Sequence, residues 1–365
     1  MQEERDAIHA RASFVARIVD KMAVLADAVW EVQWEEDMRA ILATAFVGTS
    51  VLVASAGFGM AETWDMATPY PEGNFHTKNI RWFVDEVEKA TGGELTINVH
   101  SGASMYEMSQ IKRALRTGQI PMAEFFLSAY GNEDPVYEAD SVPFMAVGQD
   151  EAKKLYDLQK PMLDERFEKE GLMALYSVPW PGNGIYTKNS VEDVSDFQGQ
   201  RIRGQTAIIA RLAELLGGQP VDVQFVEVPQ AFQTGVIEAM VTAATTGVDT
   251  QAWDYTGWFY DASVVTPRNV VAVNAEAWNG LPQEVRDAVL AVAKKAEERG
   301  WDISRQLETD AKATLVENGM EAPDMSPALK AELQDIGQKM IAEWVDEAGE
   351  NGAELAKAMG KLDAK

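Results

Sequence analysis

An alternation of short apolar strands with amphipathic helices occurs twice along this chain, and it constrains the fold more than any other feature. In the first run the pattern predicts strands at 64–68 and 95–99 and helices at 79–91 and 110–116. This rhythm is typical of a largely parallel sheet that carries helices on its faces. The first third of the chain beyond residue 61 is therefore predicted to be an α/β unit.

A second unit of the same kind follows Lys188. Its pattern predicts strands at 201–203, 221–225 and 237–242 and helices at 206–216 and 229–235. Two α/β units of similar size indicate two lobes that face each other across a cleft. Ligands of open α/β sheets bind beyond the carboxyl ends of the strands, so we expect a binding site in that cleft.

A single arginine is the strongest candidate for recognising a ligand. After the turn at Gly199, Arg201-Ile202-Arg203 reads as a short strand whose two arginines share one face. A guanidinium held at the end of a strand is rigidly aimed, and its donors fit a carboxylate in two parallel bonds. The local pattern alone leaves a second interpretation open, an exposed ion pair with one of the chain's many acids.

The composition argues against several other functions. The chain has no cysteine, which excludes disulfides, thiolate metal sites and thiol nucleophiles, and its net charge of −26 disfavours nucleic-acid binding. His76 and His100 are not spaced as a zinc-binding helix, and no nucleophile elbow or phosphate-binding loop occurs. The sequence therefore predicts no enzyme, no metal and no cofactor, although its 58 acidic residues leave a carboxylate-pair hydrolase open.

Several spaced motifs carry a resemblance to a known family. They are VPWPGNGIY at 178–186, FQGQRIR at 197–203, GGQPV at 217–221 and VPQAFQTGVIEAM at 228–240. Their order resembles that of the extracytoplasmic solute-binding proteins of tripartite ATP-independent periplasmic (TRAP) transporters, the DctP-like family, from about residue 64 to the C-terminus. Many members continue differently after the arginine, where this chain has Gly204-Gln205.

The resemblance implies a two-lobed periplasmic-binding-protein fold, in which each lobe is a mixed, mainly parallel sheet flanked by helices. It also implies that the long amphipathic stretch beginning at 283 and running towards Lys312 is a helix spanning both lobes. The predicted lobes are 62–182 plus 270–312 and 183–269 plus 313–365. By the same resemblance the protein captures an organic acid by lobe closure and delivers it to separate membrane subunits. An extracytoplasmic enzyme and a sensory binding protein are the alternatives, and we expect a monomer, with a dimer as its alternative.

The resemblance assigns the pairing with the ligand carboxylate to Arg203. Trp180 and Tyr186 are predicted to cover the apolar body of the ligand, and the amide of Asn183 to bond its oxygen. Each of these side chains has an alternative in packing or backbone bonding. The aromatic content favours a monocarboxylate with an apolar or aromatic body, and the sequence does not say which acid. The remaining predicted contacts are Tyr70, Glu124, Thr242 and Trp253.

The N-terminal region has the plan of a secretory signal. Residues 40–61 form an uncharged apolar run that ends in small residues and follows Arg39. A membrane-spanning helix is the alternative, since the run is about long enough to cross a bilayer. Residues 1–37 carry a net negative charge, whereas the start of a secretory signal is positively charged. We therefore predict that translation starts at Met38, that 1–37 is a misassigned extension, and that 38–61 is a signal peptide whose cleavage releases a periplasmic protein.

Overall fold

Two five-stranded sheets, each flanked by helices, account for residues 61–362, the part of the chain that the computed structural model describes. The predicted extension at 1–37 and the predicted signal peptide at 38–61 lie outside these residues, apart from Ala61. Among residues 61–362, no helix has both the length and the apolar character needed to cross a membrane.

The strands follow the predicted alternation with helices. In chain order they are β1 (Glu62–Ala67), β2 (Leu95–His100), β3 (Met122–Phe126), β4 (Leu172–Pro179), β5 (Asn183–Thr187), β6 (Arg201–Arg203), β7 (Gln219–Val221), β8 (Ala239–Ala243), β9 (Trp258–Tyr260) and β10 (Arg268–Asn274). The helices are α1 (Phe75–Ala90), α2 (Met108–Arg116), α3 (Gly148–Lys169), α4 (Ala207–Leu215), α5 (Val228–Gln233), α6 (Ala244–Asp249), α7 (Ala275–Gly280), α8 (Gln283–Glu317) and α9 (Pro327–Ala358).

Both sheets mix parallel and antiparallel pairs. The sheet of the first lobe has the order β2-β1-β3-β10-β4, in which β1 is parallel to β2 and β3, and β10 is antiparallel to β3 and β4. The sheet of the second lobe has the order β7-β6-β8-β5-β9, in which β6 is parallel to β7 and β8, and β5 is antiparallel to β8 and β9. This arrangement confirms the predicted two-lobed α/β fold. The strand that returns to the first sheet begins at Arg268, slightly before the predicted boundary at 270.

Local sequence explains where the first helix begins and what it covers. The side chain of Asn74 accepts a hydrogen bond from the backbone nitrogen of His76 and so caps the first turn of α1. The buried face of α1, with Phe83, Val84 and Val87, packs into the core of the first lobe. The chain then turns at Gly92, whose φ of 61° is costly for any residue with a Cβ.

Helix α8 joins the two lobes, as the resemblance implied. Its N-terminal half buries Val285 and Val289 in the core of the first lobe, while Leu315 near its C-terminus packs in the core of the second. Midway, Gly300 lets the helix approach β4 closely, because a Cβ there would lie 2.4 Å from a methyl group of Val178. Both lobes are thus fixed to one continuous helix.

Candidate ligand-binding site

A cavity lies between the lobes, where the carboxyl ends of β1, β3 and β6 face each other. The empty space among its lining residues, together with open solvent at the mouth, is about 440 Å³. One half of its lining is apolar: Tyr70, Met108, Phe126, Trp180, Phe225 and Pro267. The other half is polar: Asn183, Arg203, Gln205, Gln224, Thr242 and Thr246.

Arg203, at the end of β6, is the one cationic side chain of this lining. It is only 4% exposed, and its Nε donates a 2.8 Å hydrogen bond to the carbonyl of Val223. Within 61–362 no carboxylate lies within 4.0 Å of its guanidinium. Burial lowers the pKa of Arg203 to about 10, so the group is still charged at neutral pH. A buried cation without a counter-charge is costly, and an anionic ligand would supply that charge.

Arg201, on the same strand, lies in different surroundings from Arg203. Arg201 is 45% exposed and pairs with Glu238 at 3.1 Å, in the second lobe's outer surface. The interpretation as an exposed ion pair therefore fits Arg201, whereas Arg203 points into the cavity lining.

Aromatic side chains form the wall of the cavity on the first lobe. The indole Nε1 of Trp180 donates to Oδ1 of Asn269 at 2.9 Å, and its backbone nitrogen donates to the carbonyl of Pro267 at 2.8 Å. Tyr70 packs edge-on against Trp180, with ring centroids 5.0 Å apart, and its hydroxyl donates to the same Oδ1 at 3.4 Å. Phe225 of the second lobe meets Tyr70 at 5.5 Å, so aromatic packing crosses the cleft.

The second lobe supplies most of the polar groups. Asn183 begins β5, and its backbone nitrogen is held by the carbonyl of Val265 at 2.8 Å. Gln205 follows β6, and its buried Oε1 has no hydrogen-bond partner in the described part of the chain. Thr242 at the end of β8 donates to the hydroxyl of Thr246 at 3.1 Å. Amide and hydroxyl groups thus surround Arg203 with both donors and acceptors.

Eight ligand contacts were predicted, and the structure places them in two groups. Those that line the cavity are Tyr70, Trp180, Asn183, Arg203 and Thr242. Those that lie away from it are Glu124, Tyr186 and Trp253.

Each side chain of the second group contacts other parts of the protein. Tyr186 on β5 is fully buried, and its hydroxyl donates to the carbonyls of Ala243 and Ala244 at 3.3 Å. Trp253 packs against the core of the second lobe. Glu124 is 1% exposed, and both of its oxygens accept hydrogen bonds from side chains of the first lobe. All three side chains therefore pack against other residues of the protein or form hydrogen bonds with them.

Several cavity residues were not predicted. Gln224 and Phe225 follow β7, at the carboxyl end of a parallel strand, and that position is a recognisable signal for a ligand contact. Asn269, which holds both Trp180 and Tyr70, gave no such signal. Its position depends on the antiparallel pairing of β10 with β3, between segments far apart in the sequence.

Comparison with known proteins agrees with this architecture. The family model of the bacterial extracellular solute-binding proteins, family 7 (DctP), matches residues 66–347. The crystal structure of DctP7, a Bordetella pertussis extracytoplasmic solute receptor binding pyroglutamic acid, is 43% identical, covering 82% of this chain and 100% of that one, with a TM-score of 0.81. A marine metagenome TRAP protein specific for pyroglutamate is 35% identical, covering 83% and 100%, with a TM-score of 0.81.

A more distant relative extends the comparison to a curated protein. The solute-binding protein of Albidiferax ferrireducens is 22% identical over 321 residues, which cover 84% of this chain and 92% of that protein. The match of the family model over most of the chain confirms the predicted resemblance. The chain belongs to family 7 of the bacterial extracellular solute-binding proteins, the DctP family of TRAP-type solute receptors.

Proposed function

We propose that this receptor binds pyroglutamate, or a similar small cyclic monocarboxylate that carries an amide, and delivers it to separate TRAP membrane subunits. The observation that carries the proposal is the buried guanidinium of Arg203, which lines the cavity without a carboxylate partner among residues 61–362. Pyroglutamate is the ligand named for two similar structures that are 43% and 35% identical to this chain.

The energetics of such a site are sufficient for a receptor. Each charge-assisted hydrogen bond contributes roughly 1.5–3 kcal/mol net of water. A bidentate pair between Arg203 and the carboxylate, together with burial of a small ring, reaches the ~8 kcal/mol of a micromolar complex.

The lactam of pyroglutamate has one donor and one acceptor, and the cavity offers a partner for each. The amide of Asn183 can donate to the lactam carbonyl, while the buried Oε1 of Gln205 can accept from the lactam nitrogen. The ring methylenes then face the aromatic side chains of Tyr70, Trp180 and Phe225.

The lining disfavours other carboxylates. A sugar acid would bury its ring hydroxyls against the aromatic wall, which costs free energy unless each hydroxyl finds a partner. A dicarboxylate would bring a second negative charge into a lining whose single cation is Arg203.

The proposed form of the receptor is a periplasmic monomer that starts at Glu62 after cleavage of 38–61. Its two lobes close on the ligand and release it chemically unchanged. N-terminal sequencing of the secreted protein tests the start, and a peptide from residues 1–37 in the mature product would contradict it. Mass spectrometry of the recovered ligand tests release without turnover.

Calorimetric titration with a set of acids tests the ligand. We expect pyroglutamate to bind at micromolar concentration or tighter, and proline, which has the ring and carboxylate but no lactam carbonyl, to bind at least about tenfold more weakly. Succinate and galacturonate should bind more weakly still. Tight binding of either, with no heat from pyroglutamate, would refute the proposed ligand.

A further inference from the structure

A buried chain of hydrogen bonds lies behind the aromatic wall in the first lobe. Glu124 on β3 accepts from the hydroxyl of Thr68 at 2.5 Å and from Nδ2 of Asn269 at 2.8 Å. The Nδ1 of His76 lies 3.2 Å from the same carboxyl group. Protein groups thus surround Glu124, and it does not line the cavity.

The position of Glu124 decides which way the amide of Asn269 faces. A carboxylate only accepts hydrogen bonds, whereas an amide has a donor side and an acceptor side. Because Nδ2 of Asn269 is turned to Glu124, its Oδ1 faces the cavity wall. There it accepts from Nε1 of Trp180 at 2.9 Å and from the hydroxyl of Tyr70 at 3.4 Å.

We propose that Glu124 is a positioning residue for the ligand site, which acts through Asn269 on Trp180 and Tyr70. It sets the donor and acceptor sides of one buried amide, and that amide holds two side chains of the cavity lining. The inference rests on the proposed function only in the choice of pyroglutamate as the probe.

Sheet geometry keeps the two residues together. Across the antiparallel pair, Glu124 is opposite Val271 and Asn269 is opposite Phe126, so Glu124 and Asn269 are diagonal neighbours on one face. Both side chains are at most 1% exposed, and a buried carboxylate or amide without a partner is costly. The pair is therefore fixed by the strands themselves and not by a mobile loop.

Exchanging the two side-chain types tests the proposal. Asn269→Asp alone sets two carboxyl groups against each other and removes the donor to Glu124, so we expect pyroglutamate affinity to fall about 100-fold. In the double variant Glu124→Gln with Asn269→Asp, the glutamine amide donates to the new carboxylate, which again accepts from Trp180 and Tyr70. The double variant has the same net charge as the wild type. Its affinity for pyroglutamate should recover to within about fivefold of the wild-type value.

A matched control is Asn98→Asp on the same sheet. Asn98 is exposed, and its Nδ2 lies 3.5 Å from Oδ1 of Asp65, so the variant also places an acid beside an acid, but away from the cavity. It should bind like the wild type. An equal loss in this control would assign the effect to charge on the sheet and overturn the proposal.

Hydrogen exchange of the Trp180 indole in ligand-free protein gives a second readout, with Trp180→Phe used to assign its resonance. Exchange should be faster in Asn269→Asp and slow again in the double variant.

If the wild type does not bind pyroglutamate, the proposed ligand fails while the exchange series still tests the positioning role. If Asn269→Asp does not fold, a folded and slowly exchanging double variant supports the proposal. A double variant that exchanges as fast as Asn269→Asp, or does not fold, overturns it.

Discussion

The side-chain Nδ2 of Asn74 lies 2.7 Å from Oδ2 of Asp249, and this hydrogen bond joins the first lobe to the second. Asn74 is fully buried and also caps α1, while Asp249 is the exposed last residue of α6 at the rim of the cleft. The bond spans the two lobes and exists only when they are in contact. We therefore expect it to stabilise the closed, ligand-bound arrangement proposed above.

Asp249→Ala removes this bond without touching the cavity lining. We expect ligand affinity to fall about three- to tenfold, mainly through faster dissociation, because the lost hydrogen bond belongs to the closed form. Stopped-flow binding measures both rate constants. Asp254→Ala, an exposed acid of the same lobe, is the control and should leave both unchanged. A slower association rate with unchanged dissociation would contradict a role in holding the lobes closed.

The two arginines of β6 give a matched pair of substitutions. Arg203→Lys loses the bidentate geometry in a buried position, so we expect affinity for the ligand to fall about 100-fold or more. Arg201→Lys at the exposed first position of the strand should change affinity by roughly twofold at most. Calorimetric titration decides between them. Both substitutions keep the positive charge, so little loss in either variant would mean that charge alone, and not the fork of Arg203, attracts the ligand.

The elements that sequence predicted best are those with strong local patterns. Neighbouring residues determine the predicted strand at 201–203 and the predicted helix around 110–116, and a glycine follows each of them. The predicted bounds agree with β6 and α2. The local geometry indicated this strand, and the family resemblance assigned the ligand carboxylate to Arg203. Its burial, which separates it from Arg201, depends on the second lobe's loops and was not visible in the pattern.

The region after β7 shows where sequence reasoning fails. A strand was predicted at 221–225, but β7 ends at Val221 and a short 3₁₀ helix, Phe225–Glu227, follows. β7 is an edge strand that pairs with β6 alone, so no second neighbour extends it. The chain is instead free to turn Phe225 into the cleft against Tyr70, a contact between lobes that no local pattern encodes.

Two buried tyrosines should separate stability from binding. Tyr186→Phe removes the hydroxyl that bonds the carbonyls of Ala243 and Ala244, so we expect the free energy of unfolding to fall by about 1 kcal/mol with unchanged affinity. Tyr70→Phe removes a hydroxyl from the cavity wall and should weaken ligand binding by about fivefold. Thermal unfolding and calorimetric titration of both variants check this. Loss of affinity in Tyr186→Phe would support the prediction that Tyr186 contacts the ligand.

The stability of the ligand-free protein should fall as the pH rises towards neutral. Burial, with the nearby charges of Glu347 and Asp140, raises the pKa of Glu138 to about 7, although the backbone N–H of Ile208 opposes the shift. Burial likewise raises the pKa of Asp140 to about 6, against the attraction of Arg268. Between the ordinary pKa of a carboxyl group and these values, the native state binds more protons than the unfolded chain. The free energy of unfolding therefore decreases with increasing pH.

Glu138→Gln tests this because it removes the larger of the two contributions. We expect denaturant unfolding of the wild type to give a lower free energy at pH 8 than at pH 5, and the variant to reduce that difference by up to ~3 kcal/mol. Glu317→Gln, an exposed acid of α8, is the control and should follow the wild type. A variant whose stability falls as steeply as that of the wild type would show that other carboxyl groups carry the dependence. A rise in stability with pH would contradict the sign itself, because desolvation can only favour the neutral form of a buried acid.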